Sequence, residues 1–304
     1  FCVVGIPENT IQENKYNNLE NIVNDLEIGY KNGYRGLVLS GGEPTIHPHI
    51  VKTIKKAKDI GYKHIEMKTN GIKLENYEFT KAISEAGLDT FCISIHGPDA
   101  KTHDYLVGVP GAFNKIKKAI ENIKKIYGVN LITPTCIQKD NYKLLPQTID
   151  FLLDLGTTHI CLTFVETNGS AKSHFNKVVP RYKNVIPYLY EAIEKIKESN
   201  ILWNIHGFPM CLVPGYEYFS LDIARHDSGL AGTDIHDYNT YEKEHFRKKD
   251  EIVCNNCILD SFCSGPWANY VENYGFDEFN AVTANSITDI IPLPILSRKL
   301  FKIT

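Results

Sequence analysis

The apolar residues in the first two thirds of the chain follow two alternating periods. Over residues 18–32 they recur three and four positions apart, which predicts an amphipathic helix. Residues 36–40 (GLVLS) then form a short apolar run, which predicts a buried strand. The same pair recurs: further helices are predicted over 49–60, 77–86, 112–127, 144–155 and 181–199, and further strands over 64–68, 90–95, 129–136, 159–165 and 201–206.

Strands that alternate with helices of about a dozen residues indicate an α/β fold with a parallel sheet and right-handed crossovers. Residues 1–5 (FCVVG) are expected to follow one more strand, which would precede the chain. Residues 207–304 break this rhythm, because they hold aromatic residues, a group of cysteines and little helical periodicity. We therefore expect two domains: the sheet in residues 1–206, and a separate C-terminal region with its tail in 207–304.

Composition excludes several classes of protein. The 304 residues are 43% hydrophobic and 23% charged, which is enough to bury a core and too apolar for disorder. A net charge of −3 does not favour nucleic-acid binding. No uninterrupted apolar run reaches about 18 residues, so no membrane span is predicted. Eight cysteines are too few for a disulfide scaffold in this length, and their clustering favours a reducing compartment with a metal or iron–sulfur site.

The loop after the strand at 36–40 carries the most specific local motif. Gly41 and Gly42 expose backbone groups, Glu43 adds a carboxylate beside them, and Pro44 stiffens the exit from the loop. Because parallel sheets bind ligands at the carboxyl ends of their strands, this loop is predicted to bind a cationic amine. The alternative is an ordinary connection between strand and helix with a solvated glutamate.

The cysteines of the last third have the spacing of metal ligands. Cys254 and Cys257 can present two thiolates to one centre, Cys263 can add a third, and Cys211 is the candidate for the fourth. An iron–sulfur cluster and a structural zinc ion are both compatible with this set of ligands.

The segment Ser40-Gly41-Gly42-Glu43-Pro44 resembles the motif with which radical S-adenosylmethionine (radical SAM) enzymes bind the amino group of SAM. Further matches follow in order along roughly residues 1–200: Thr69-Asn70-Gly71 resembles a turn of that family, and Ser94 falls where members contact the ribose or carboxylate of SAM. The resemblance implies a partial (β/α)6 TIM-like barrel. His96 and Glu166 lie at two further strand ends. With them, the residues expected to contact SAM or substrate are Gly41, Gly42, Glu43, Pro44, Asn70, Ser94, His96 and Glu166. For Glu166, a solvated loop is the alternative.

The family holds a [4Fe–4S] cluster on three cysteines with x3 and x2 spacing. Phe1-Cys2 resembles the end of that motif, so Cys2 is expected to bind the cluster together with two cysteines that would precede Phe1. Because one thiolate cannot hold the cluster, either two further cysteines precede Phe1 or the protein has lost the chemistry, and we favour the first interpretation.

The cysteines Cys211, Cys254, Cys257 and Cys263 resemble the C-terminal extensions called SPASM and twitch, which carry auxiliary [4Fe–4S] clusters in many radical SAM enzymes. Where a SPASM sequence has another cysteine, four residues after Cys263, this chain has Trp267. This departure favours the shorter twitch type with a single auxiliary cluster.

The resemblance also implies the reaction. Reductive cleavage of SAM would form a 5′-deoxyadenosyl radical, which would take a hydrogen atom from substrate. A peptide is the expected substrate, and a small molecule or cofactor precursor is the alternative. The other expected partner is an electron donor such as flavodoxin or ferredoxin, and the expected location is the cytoplasm. Two further interpretations stay open: a non-radical (β/α) barrel protein with structural zinc, and a catalytically inactive binding subunit.

Overall fold

A parallel sheet forms the centre of the molecule. The computed structural model describes residues 18–222 and 247–283. In these ranges six strands pair in the order of the chain, every neighbouring pair being parallel. The strands are β1 Gly36–Leu39, β2 His64–Thr69, β3 Thr90–Ile93, β4 Asn130–Ile137, β5 His159–Phe164 and β6 Leu202–His206. In the described ranges β1 and β6 do not pair with each other, so the sheet stays open, and the expected partial (β/α)6 TIM-like barrel is confirmed.

Helices connect the strands, as the alternating pattern predicts. They are α1 Leu19–Lys31, α2 Ile50–Ile60, α3 Tyr77–Glu85, α4 Ala100–Val107, α5 Ala112–Ile123, α6 Leu145–Asp154, α7 Gly169–Ser173, α8 Phe175–Val178, α9 Tyr182–Lys197 and α10 Ala268–Tyr274. The predicted helices correspond to α1, α2, α3, α5, α6 and α9. The others are short, and a helix of two turns or fewer shows too few repeats for its period to be recognised.

The two faces of the sheet differ in burial. Along β4, Leu131, Thr133, Thr135 and Ile137 are buried, whereas the residues between them stay partly exposed. Because successive side chains of a strand point to opposite faces, the buried set packs under the helices and the other set lines the concave side. A ligand bound at the strand ends can therefore extend along a surface that the helices do not fill.

The hydrophobic core continues into the C-terminal region. Phe164 at the end of β5 stacks on Tyr182 of α9 with ring centroids 4.0 Å apart, and Phe208 and Tyr270 pack against the same two rings. The division into domains 1–206 and 207–304 stays a prediction, but these contacts join the two sides of that boundary. None of the helices described is long and apolar enough to cross a membrane.

Candidate functional site: a carboxylate at the strand ends and a cysteine-lined cavity

The Glu43 carboxylate joins the ends of β1 and β2. Its Oε1 accepts hydrogen bonds from the hydroxyls of Thr45 and Thr69, both at 2.6 Å, and from the Thr45 backbone N–H at 3.1 Å. Its Oε2 accepts the backbone N–H of Asn70 at 2.8 Å. Hydrogen bonds to a charged group are stronger than neutral ones, so these donors hold the carboxylate in one position. Glu43 is thus a fixed negative charge at the strand ends rather than a freely solvated side chain.

The two glycines before Glu43 leave open space beside the backbone. Gly41 has φ +138°, a conformation that side chains rarely tolerate, and a Cβ added to Gly41 or to Gly42 would meet no atom within 4 Å. Both residues are exposed, and Pro44 opens the 3-10 turn Pro44–Ile46 that follows. Exposed carbonyl and N–H groups beside a fixed carboxylate fit the amino and carboxylate groups of an amino acid such as the methionine part of SAM.

Asn70 and Ser94 lie at the ends of the next two strands. The Asn70 side chain closes a turn, because its Oδ1 accepts the Ile72 N–H at 2.9 Å, and the residue is exposed. Ser94 is half-buried just beyond β3, where its N–H faces the Thr69 carbonyl oxygen at 3.4 Å. Since β1, β2 and β3 are neighbours, the fold brings Glu43, Asn70 and Ser94 to one edge of the sheet. Their contacts with SAM stay predictions.

His96 is buried in a network that joins β3 and β4. Its Nδ1 accepts the backbone N–H of Cys136 at 3.2 Å, and its ring stacks on His103 with centroids 5.7 Å apart. Burial, followed by the charge that His103 can carry, lowers the pKa of His96 to about 3. These contacts give the neutral ring a packing function, and its expected contact with SAM or substrate stays a prediction.

Glu166 lies beyond the end of β5 and is half-buried. Its carboxylate is close enough to Cys136 to contribute, after burial, to raising the pKa of that thiol to about 12. Glu166 therefore faces the same edge of the sheet as His96, and a role in binding SAM or substrate stays a prediction.

A second candidate site is a cavity lined by four cysteines. Cys211, Cys254, Cys257 and Cys263 all contribute to its wall, although 52 positions separate the first of them from the last. The apolar side chains of the wall are Val253, Leu259, Phe276 and Phe279, together with Met210 and two prolines. An apolar shell limits the access of water and so controls the reduction potential of a metal centre. The fold thus brings together all the cysteines expected for the auxiliary centre.

Each of the four cysteine sulfurs faces a backbone N–H group. Cys263 Sγ accepts from Met210 at 3.5 Å and from Gly265 at 3.3 Å, Cys254 Sγ from Asp250 at 3.3 Å, and Cys257 Sγ from Val282 at 3.4 Å. Cys211 accepts from the backbone of Asn280. Hydrogen bonds of this kind stabilise thiolates and are one of the means by which proteins adjust iron–sulfur clusters.

Burial opposes ionisation of these thiols in the metal-free chain. It raises the pKa of Cys211 to about 12, and the neighbouring cysteines Cys263, Cys257 and Cys254 add to the shift. Burial also raises the pKa of Cys254 and Cys263. A positively charged metal centre reverses this balance, because it stabilises the thiolate form of every ligand. Binding of such a centre would therefore favour ionisation of these thiols.

Four cysteine ligands suit either an iron–sulfur cluster or a zinc ion. Among the described residues, no group of three or more His, Cys, Asp or Glu side chains is placed to hold a metal ion as the chain stands, so the four cysteines share a cavity without forming a closed set of ligands. Trp267, at the position where a SPASM sequence has another cysteine, is completely buried and packs against His206 and Arg247. Cys2, the expected ligand of the SAM cluster, lies outside the described residues.

Several residues of these sites were missed from the sequence. Thr45 and Thr69, which hold Glu43, are small polar residues in a glycine-rich loop and at a strand end, and that position is the signal that could have found them. Asp222 and Arg247, which lie next to Cys263, have no local signal because their partners are distant in the sequence.

The family follows from these sites together with a comparison of the sequence. A family model for the radical SAM superfamily matches residues 1–152, which is half of the chain. The chain belongs to the radical SAM superfamily, and it is an enzyme of that class. Membership implies a [4Fe–4S] cluster and SAM as cofactors, in agreement with the open backbone beside Glu43.

Curated relatives match only part of this chain and part of their own length. A probable GTP 3′,8-cyclase of Sulfurisphaera tokodaii is 28% identical over 174 residues, which is 56% of this chain and 53% of that protein. An AdoMet-dependent heme synthase of Methanosarcina barkeri is 27% identical over 164 residues, 53% of this chain and 45% of that protein. The chain spans about half the length of these curated relatives, so their activities are not assigned to this chain.

A solved structure is similar over nearly the whole chain. Streptococcus suis SuiB bound to S-adenosylmethionine has a TM-score of 0.55 and 17% sequence identity, and the match covers 92% of this chain and 72% of SuiB. A structure of SuiB bound to the precursor peptide SuiA matches with the same TM-score at 16% identity. At this identity the likeness shows the fold alone.

Proposed function

We propose that the protein binds SAM at Gly41, Gly42 and Glu43, cleaves it reductively and uses the resulting radical to take a hydrogen atom from a peptide substrate. The fixed Glu43 carboxylate beside the open backbone of the two glycines is the observation on which this depends. When bound, a [4Fe–4S] cluster supplies the electron for cleavage. The residues of this chain bind and orient SAM: Glu43 takes the amino group, and the backbone of Gly41 and Gly42 takes the polar atoms beside it.

An auxiliary [4Fe–4S] cluster on Cys211, Cys254, Cys257 and Cys263 is the second part of the proposal. It is supported by the shared cavity and by the N–H group that faces each sulfur. Such a cluster would give the four thiolates a compensating positive charge, which the apolar side chains of the wall do not supply. A cytoplasmic location and an electron donor such as flavodoxin or ferredoxin belong to the same proposal, because cluster thiols persist in a reducing compartment.

The peptide substrate is supported by the likeness to SuiB, which covers 92% of this chain and includes a structure with a precursor peptide. The open concave side of the sheet agrees with an extended substrate. A small-molecule substrate is the second candidate, because the curated relatives named above are a cyclase of GTP and a heme synthase.

The first experiment tests cofactor binding. The protein is expressed at its full natural length without oxygen, and iron, sulfide and zinc are measured per chain. About eight iron and eight sulfide support two clusters. One zinc and no iron after attempted cluster reconstitution would overturn the proposal for both clusters.

The variant Gly42→Ala then tests the SAM site. Because a Cβ at this position meets no atom of the protein, the variant is expected to fold with an unchanged melting temperature. Its methyl group would occupy the space proposed for SAM, so we expect SAM binding, measured by equilibrium dialysis, to weaken at least tenfold, which is about 1.4 kcal/mol. Wild-type affinity in Gly42→Ala would place SAM elsewhere.

A third experiment distinguishes the two substrate classes. Formation of 5′-deoxyadenosine is measured by chromatography with dithionite as reductant, with GTP added or with synthetic peptides encoded by short reading frames beside the gene. A peptide that increases the rate and gains a new mass by mass spectrometry supports the proposal. Stimulation by GTP together with none by any of these peptides would favour the small-molecule alternative.

A further inference from the structure

A buried charged group connects the cysteine-lined cavity to the last strand of the sheet. The Arg247 guanidinium is almost fully buried and lies 3.5 Å above the centre of the Trp267 ring. One of its nitrogens donates to the Gly265 carbonyl oxygen at 3.0 Å, and the other lies 3.4 Å from His206 Nε2 at the end of β6. Arg247 thus contacts both the sheet and the turn that follows Cys263.

Asp222 holds the same turn from the other side. Its Oδ2 accepts the Ser264 N–H at 3.2 Å, and its Oδ1 lies 4.0 Å from the nearer Arg247 nitrogen. The two side chains are only 4% and 1% exposed. The Gly265 N–H in turn donates to Cys263 Sγ. The two residues after Cys263 are therefore each fixed by one member of a buried ion pair.

The positive charge of Arg247 lies next to the turn that carries Cys263. A cluster ligated by four thiolates has a net negative charge, because the thiolates outweigh the positive charge of the iron–sulfur core. A buried cation beside such a cluster would act on it with little screening by water.

We propose that Arg247 is a positioning residue for the auxiliary centre: it fixes the Ser264–Gly265 turn that presents Cys263, and its buried positive charge raises the reduction potential of the centre. The inference rests on the auxiliary cluster proposed above. Reduction adds one negative charge to the cluster, so a nearby cation stabilises the reduced form more than the oxidised form. Asp222 has the opposite effect on the potential and the same effect on the turn.

The test measures the potential of the auxiliary cluster itself. In a Cys2→Ala background, which removes the expected ligand of the SAM cluster, the auxiliary signal is titrated by electron paramagnetic resonance under controlled potential. Arg247→Gln is expected to lower the equilibrium constant of one-electron reduction at least tenfold, a shift of about 59 mV to more negative potential. Arg247→Lys keeps the charge but loses the planar guanidinium group, and is expected to retain a potential near that of the wild type with an altered signal shape.

Two further variants make the result decisive. Asp222→Asn keeps an oxygen for the Ser264 N–H and removes the negative charge, so its potential is expected to shift in the positive direction. Arg181→Gln changes an arginine that is 30% exposed and pairs with Asp277, and is expected to change nothing. Opposite shifts of the potential in Arg247→Gln and Asp222→Asn support the proposal. If Arg247→Gln does not bind iron, the potential of Asp222→Asn is the deciding measurement.

The two proposals fail in different ways. Zinc at the cysteine site of the wild-type protein would overturn the auxiliary cluster before any arginine variant is made. Four iron at that site together with an unchanged potential in Arg247→Gln and Asp222→Asn would overturn the role of Arg247 alone.

Discussion

Thr69 Oγ1 lies 2.6 Å from Glu43 Oε1, so a hydroxyl at the end of β2 holds the carboxylate that follows β1. The same hydroxyl oxygen accepts the Gly71 N–H at 3.1 Å. One buried threonine therefore fixes both the charge proposed for binding SAM and the turn beside it. Glu43 and Thr69 are 26 positions apart in the sequence, so no local motif predicts this contact.

Replacing this threonine is expected to weaken SAM binding without direct contact. Thr69→Val has the same shape but loses a hydrogen bond to a charged group, which contributes about 1.5–3 kcal/mol. We expect the dissociation constant of SAM, measured by equilibrium dialysis on the cluster-loaded enzyme, to rise about tenfold. Thr69→Ser retains the hydroxyl and should bind SAM almost as the wild type does. Equal affinity of the Val and Ser variants would show that the hydroxyl does not position Glu43.

Gly71 and Gly128 allow backbone strain to be separated from crowding. Their φ angles are +76° and +78°, but a Cβ at Gly71 would lie 2.9 Å from Ile93 Cγ2, whereas one at Gly128 meets nothing within 4 Å. Alanine at either position carries the left-handed cost of about 1–2 kcal/mol. Gly71→Ala adds about 1–3 kcal/mol of overpacking. Thermal unfolding should therefore give a clearly lower melting temperature for Gly71→Ala, and equal melting temperatures would contradict the packing described at this turn.

Removing one auxiliary ligand is expected to release iron from one centre. Cys257→Ala takes away a sulfur that lines the cavity, so the iron content of the full-length enzyme should fall by about four per chain. Cys161→Ala is the matched control, because Cys161 is half-buried on β5 and does not line the cavity. Iron analysis of both variants checks this, and an equal content in the two would remove Cys257 from the set of ligands.

Acid is expected to destabilise the barrel through its buried histidines. Burial lowers the pKa of His96 to about 3 and that of His159 to about 4, and it also lowers the pKa of His103. Below the ordinary value of 6.5 the unfolded chain therefore binds more protons than the folded one. The free energy of unfolding should then fall as the pH is lowered from about 6.5 towards 4, by at most about 1.4 kcal/mol per pH unit for each histidine.

Urea unfolding at pH 7, 6 and 5 measures this dependence. His96→Gln can still accept the Cys136 N–H and no longer titrates, so its stability should depend less steeply on pH than that of the wild type. His64→Gln, which replaces an exposed histidine at the start of β2, is the matched control. A His96→Gln slope equal to that of the wild type would mean that His96 is not a buried neutral ring.

Local patterns were sufficient to predict most of the fold. The alternation of apolar runs with helical spacing predicted all six strands and the longer helices, because side-chain period depends on only a few neighbouring residues. The strand predicted over 90–95 ends at Ile93. Ile95 still donates its N–H to the Pro134 carbonyl oxygen, but Pro134 has no N–H with which to continue the ladder. The short helix Ala268–Tyr274 was missed because it spans too few repeats.

By itself, the amino-acid sequence determined the alternating α/β architecture, the Gly-Gly-Glu-Pro loop after a buried strand, and the spacing of Cys254, Cys257 and Cys263. Each of these depends on residues that are close along the chain. Only the tertiary structure decided that Thr69 holds Glu43, that His96 is buried against Cys136 and His103, and that Cys211 joins the other cysteines at one cavity. It also decided that Arg247 and Asp222 flank Cys263. These contacts join residues far apart in sequence, and packing of the whole sheet and its helices, rather than any local propensity, sets the distances between them.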